Sequence, residues 1–161
     1  MPEGINVADL QSDTYAWALT QAALLRRGGS PKSLDREALG EFLEEWAAER
    51  LATVRRQVVN LLAHAAKVAS TRNPDVIGHW RSECVEFHDR LVDAYRPSMR
   101  DKIDIASLWR RAQRKVFASF DDHGEKRPAL PTQCPVVIED LVDLELDFDR
   151  LVTTIGGKPP A

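Results

Sequence analysis

From Leu34 to Ala69 apolar residues return to one helical face for about ten turns, at roughly 3.6 residues per turn. The stripe runs through Leu39, Leu43, Trp46, Leu51, Val54, Val58, Leu61, Leu62, Ala65 and Val68. No proline interrupts it, and its one glycine, Gly40, falls near the start. The pattern predicts one long amphipathic helix over about residues 34–70. Such a stripe cannot bury itself, so partner helices must come from the same chain or from another subunit.

Shorter stretches of the same period flank it. A first helix opens at Ser12 or Asp13, whose side chains can cap free amides, and continues through Tyr15, Ala18, Leu19, Ala22 and Leu25 until Gly28-Gly29-Ser30-Pro31 ends it. Ser33 or Asp35 caps the long helix, which stops near Thr71. Asn73 then caps a third helix with Pro74 in its first turn. The connection is short, so these two helices are antiparallel neighbours. The third helix carries Ile77, Trp80, Cys84, His88, Leu91 and Tyr95 until Pro97 breaks it, and a fourth carries Ile105, Trp109, Ala112, Val116 and Phe120. From Asp121 to Gln133, with Gly124, Pro128 and Pro131, the chain reads as a surface loop. A short helix follows at Ile138 to Val142, and residues 156–161 form a flexible tail.

The architecture expected is all-α: a mostly antiparallel helical bundle around the long helix, in a single domain over residues 1–155. The long helix spans roughly 50 Å, about twice its neighbours. Part of its stripe overhangs them, which favours a homodimer over cover from the first helix and the C-terminal segment alone.

Composition narrows the class. A chain of 161 residues with 43% hydrophobic and 29% charged residues is a folded helical domain, not a disordered tract. Two cysteines, Cys84 and Cys134, fit a reducing compartment, and nothing in the spacing requires them to pair. The N-terminus lacks a signal-peptide pattern and no apolar run is long enough to span a bilayer, so a cytoplasmic protein without a membrane partner is expected. A net charge of -3 sets the chain against wholesale nucleic-acid binding.

Several stretches together resemble a bacterial family, domain of unknown function 29. They are Asp13-Thr14-Tyr15-Ala16-Trp17 with Gln21 to Arg26, Leu34-Asp35 through Glu41 and Glu44, Leu61-Leu62-Ala63-His64 with Lys67, Trp80-Arg81, Cys134-Pro135, and Leu141-Val142-Asp143. The likeness covers nearly the whole chain. The chain departs from the family pattern at Phe42, at Trp46 and in the segment after Lys67. What the resemblance implies is a small helical protein with no assigned activity.

Candidate chemistry centres on His64, which sits at the edge of the stripe beside Gln57, Asn60 and Lys67 at helical spacing. Lys67, one turn on, lowers the imidazole's proton affinity toward that of a neutral base, while Asn60 fixes its tautomer. The competing role is a boundary histidine bonded to a neighbouring helix. No metal or cofactor is expected: Glu41 and Glu44 lie roughly 30 Å along the helix from His64, and His79 with Glu83 make at most half a site on a solvated face. His88 falls on the apolar face of its helix and needs a buried partner. Cys84 is a small core residue, and Cys134 would be reactive only if a helix start lowered its pKa. Tyr15 and Trp17 are two apart on a helix, so only one can face the core, and the other is a surface or partner-binding group.

Charge is unevenly distributed. Arg110, Arg111, Arg114 and Lys115 crowd the fourth helix, while Glu139, Asp140, Asp143, Glu145, Asp147 and Asp149 crowd the C-terminal segment. Opposite signs so close in sequence suggest that the acidic segment docks along the fourth helix, in the same chain or in a second subunit. Three functions stay open: a protein-interaction or scaffold module, a small enzyme or ligand-binding protein with a pocket at His64, Asn60 and Lys67, and a weak nucleic-acid binder through Arg110, Arg111 and Arg114.

Overall fold

The computed structural model of the chain describes residues 13–28 and 36–156, and among these the only regular elements are helices. They are α1 (Thr14–Arg27), α2 (Arg36–Ser70), α3 (Pro74–Ala94), a 3-10 helix (Pro97–Lys102), α4 (Ile105–Asp122), α5 (Ile138–Leu141) and α6 (Phe148–Ile155). The all-α class and the long continuous helix follow the hydrophobic pattern. Ser12, the turn residues Gly29 to Pro31, the caps Ser33 and Asp35, and the tail beyond Gly156 lie outside the described residues. The 3-10 helix and α6 are additions to the predicted set. No helix among the described residues is long and apolar enough to cross a membrane.

Contacts group the chain into two compact units, one holding the residues up to Thr53 with Arg96–Lys102, the other Val54–Tyr95 with Ile103 onward. In the first unit, Asp13 caps α1 by accepting from the Ala16 amide at 3.0 Å, and its second oxygen accepts from the Ser98 amide at 3.3 Å. One carboxylate thus ties α1 to the 3-10 helix. Tyr15 is buried with the Lys102 ammonium 5.9 Å from its ring, while Trp17, pointing elsewhere, is half-buried. Gly28 closes α1 at φ +102°, a conformation L side chains rarely adopt, so its N–H can reach the Leu25 carbonyl. Arg26 pairs with Glu37 at 3.4 Å and through both terminal nitrogens with Glu44, lying across Gly40, where a Cβ would meet its Nε at 3.3 Å.

The second unit holds most of the core. On α2, Val54, Val58, Leu61, Leu62, Ala65 and Val68 are buried as the stripe predicts. Val59, Ala63 and Ala66, which lie off that stripe, are buried as well. A helix buried on more than one face has neighbours on more than one side: α3 meets it at His64–Glu83 and Lys67–Trp80, and α4 at Asn60–Lys115. The α3 contacts advance on one helix as they retreat on the other, which is antiparallel packing. Asn73 and Pro74 make the tight reversal, Asn73 accepting from the Asp75 amide at 3.0 Å.

Asp104 caps α4, whose Leu108, Trp109, Ala112, Val116 and Phe120 complete the core. The loop beyond α4 is anchored at the Pro131 carbonyl, which accepts from Trp109 Nε1 and Gln113 Nε2, both at 2.8 Å. Asp147 then caps α6 by accepting from the Arg150 amide, and Leu151 and Ile155 turn inward. The acidic C-terminal segment packs along α3. Asp149 pairs with Arg81 at 2.6 Å, and the Asp143 carbonyl meets His88 Nε2 at 2.8 Å.

Candidate functional site

The polar seam expected around His64 forms between α2 and α3. A carbonyl only accepts, so the His64 Nδ1 at 2.9 Å from the Asn60 carbonyl carries a proton. This leaves Nε2 facing Glu83 Oε2 at 3.0 Å. Glu83 is therefore not a solvated partner of His79 alone, as its spacing suggests; it turns toward α2, with the exposed His79 at 3.5 Å on its outer side. Phe87 covers the imidazole with ring centroids 5.0 Å apart. Lys67 stands 5.4 Å from the Trp80 ring.

Two demands compete at His64. A hydrogen bond to Glu83 needs a second proton on the ring, but burial opposes a charged imidazole, and Lys67 and Lys115 repel it. The balance lowers the His64 pKa. Burial first, then Lys115, also lowers that of Lys67, against the pull of Glu83. The chemistry of the seam is that of a tautomer-fixed imidazole with Nδ1 bonded to a carbonyl and Nε2 covered by Glu83. A substrate would have to displace Glu83 to reach Nε2. Gln57, next along the seam, is buried, and its Oε1 finds no donor among the described residues. No cluster of three or more His, Cys, Asp or Glu among the described residues could hold a metal ion.

A second site lies between α2 and α4. Arg56, Val59 and Asn60 from α2 and Arg111, Arg114, Lys115 and Ala118 from α4 line a hollow of about 350 Å³, with no acid among them. Beside it, Ser107, Arg110, Arg111, Gln113, Arg114 and Phe117 line a second hollow of about 460 Å³. The helical period of α4 explains the arrangement: Ala112 and Val116 face the core, which puts Arg111, Arg114 and Lys115 outward. Lys115 donates to Asn60 Oδ1 at 2.6 Å. Arg110, Arg111 and Arg114 are exposed and have no carboxylate partner among the described residues.

This arrangement corrects one expectation. The acidic segment does not dock on Arg110, Arg111 or Arg114 of its own chain, because Asp143 and Asp149 are held on α3 by His88 and Arg81. Nor is His88 a deep core residue: it is half-buried, with a backbone carbonyl as its partner.

Other candidates fall elsewhere. Glu41 is exposed and Glu44 belongs to the Arg26 pair, which holds its carboxyl below the usual range through a hydrogen bond. Cys84 is buried, and burial pushes its thiol up to about 12. Cys134 does not start a helix, since α5 begins at Ile138, and burial raises its pKa too. Both thiols are free. Sequence reasoning missed the pairing of Glu83 with His64, which depends on the register of α3 against α2 and leaves no mark in either helix alone. It also missed Arg56, whose partners in the groove lie on another helix.

Comparison with known proteins places the chain in a family. The chain is similar to a crystal structure of an alpha-helical protein of unknown function from Rhodospirillum rubrum, at 28% identity and a TM-score of 0.86, over 94% of this chain and 99% of that one. No curated protein matches it. The model of Domain of unknown function DUF29 matches residues 10–147. With its helical order, its long α2 and this match over most of its length, the chain belongs to the DUF29 family.

Proposed function

We propose that the protein is an interaction module that binds an acidic protein segment through the outer face of α4. One observation carries this reading: Arg110, Arg111 and Arg114 stand exposed without a carboxylate partner among the described residues, beside hollows free of acids. Arginine forks match carboxylates in paired hydrogen bonds, and unmatched like charges on one face are favourable only once a counter-charge arrives. A protein segment fits better than nucleic acid because the chain carries a net charge of -3 and an acidic stretch that repels an extended phosphate backbone. Free thiols at Cys84 and Cys134 fit the cytoplasmic setting expected for such a module.

The test is titration of a fluorescent glutamate-rich peptide. Surface charges contribute up to about 1 kcal/mol each, so an R110Q/R111Q/R114Q variant is expected to bind more weakly, by up to about a hundredfold, and added salt to weaken the parent. Circular dichroism verifies that the variant keeps its helices. Equal affinity of parent and variant would overturn the reading, as would an oligonucleotide that displaces the peptide at lower concentration than unlabelled peptide does. An acid–base role at His64 is less well supported, because its Nε2 faces Glu83 instead of open space.

A further inference from the structure

We infer that the occupant of the α2–α4 groove is the acidic segment around Leu144 of a second copy of this chain. The inference rests on the reading of α4 as a carboxylate-binding face and names its partner. The segment is held in a form suited to docking. His88 and Arg81 fix Asp143 and Asp149 to α3 by a backbone and a side-chain contact, and the Asp143 side chain folds the next turn by accepting from the Glu145 amide at 3.0 Å. Asp143 and Glu145 are exposed, and between them Leu144 is 80% exposed, the most exposed large hydrophobic residue among those described. An isolated leucine in water needs no explanation, but one flanked by carboxylates on a segment pinned from behind forms a strip of acid, apolar group and acid.

The groove offers the complement. Val59 and Ala118 supply apolar lining, and Arg111, Arg114 and Lys115 supply positive charge beside it. Dimensions agree. Arg111 and Lys115 are separated by about 6 Å along α4, and the Cα atoms of Asp143 and Glu145 by at most about 7 Å. Leu144 would seat against Val59 and Ala118 with a carboxylate reaching cations on either side. Within one chain this contact is not made, because the segment is engaged on α3. Since each copy carries both surfaces, a reciprocal exchange forms two identical contacts and closes at a dimer.

The experiment is sedimentation velocity over a concentration series at about 50 and about 300 mM salt, a range that strongly changes screening. A dimer that weakens at high salt is expected. R111E/R114E and D143K/E145K, each alone, are expected to be monomeric with unchanged circular dichroism. An equal mixture of the two is expected to recover the dimer, because exchanging the signs restores both contacts. A parent chain monomeric throughout overturns the inference, as do a dimer that both variants retain, a mixture that stays monomeric, or a mass that climbs past two chains. The glutamate-rich peptide separates the two readings: if a monomeric parent binds it, the self-docking fails alone, and if it does not bind, the α4 face fails as well.

Discussion

His64 shows how one half-buried group is set by neighbours on three helices. Its own α2 fixes Nδ1 through the Asn60 carbonyl and brings Lys67; α3 brings Glu83 and Phe87; α4 brings Lys115. The folded-state pKa lies below the unfolded value of about 6.5, so between the two the unfolded chain binds more protons and stability rises with pH. Stability is therefore complete above about pH 6.5 and is lost as pH falls through the window beneath it. Urea midpoints measured from about pH 7.5 to about pH 5.5 are expected to drop in the parent and to flatten in a His64→Gln variant. The spacing of His64, Asn60 and Lys67 on one helix is enough to mark the seam, because contacts within a helix follow from its period. Glu83 is invisible as a partner in the sequence because pairing between helices depends on packing register.

At the scale of elements, the hydrophobic period locates α1 to α4 with their caps at Asp13, Asn73 and the turn at Gly28, since a strong stripe and a capping side chain act locally. It understates α2. Val59, Ala63 and Ala66 look like interruptions in a one-sided stripe but are the second face of a helix with neighbours on more than one side. Helix α6 escapes the sequence reading although Phe148, Leu151, Val152 and Ile155 carry the period and Asp147 the cap, because its eight residues are too few to form a helix without packing. That cap gives a direct test. Asp147→Ala removes the acceptor for the Arg150 amide and is expected to cost about 1 kcal/mol in urea unfolding. Asp149→Ala, which removes only an exposed pair with Arg81, is expected to cost less. Equal losses would show that the cap contributes nothing of its own.

For the whole molecule, class and helix order are legible because they depend on the pattern of each segment, and the family match over residues 10–147 agrees with them. The groove is only half legible: Arg111, Arg114 and Lys115 share one face of α4 by period, whereas Arg56, Val59 and Asn60 join them through tertiary packing. Asn60 belongs to both places, its carbonyl meeting the His64 ring and its amide oxygen accepting from Lys115. The imidazole thereby becomes an indicator dye for the groove. A carboxylate arriving at Lys115 would offset one of the two cations that repel a proton from the ring, so the His64 resonance, followed by NMR through a pH titration, should change colour, as it were, at higher pH when the groove is filled. An Asn60→Ala chain should keep that shift, since the backbone carbonyl that holds the ring remains, only the Lys115 contact is lost, and charge acts across the gap; a titration curve indifferent to glutamate-rich peptide would mean that the two sites share a residue without sharing a signal.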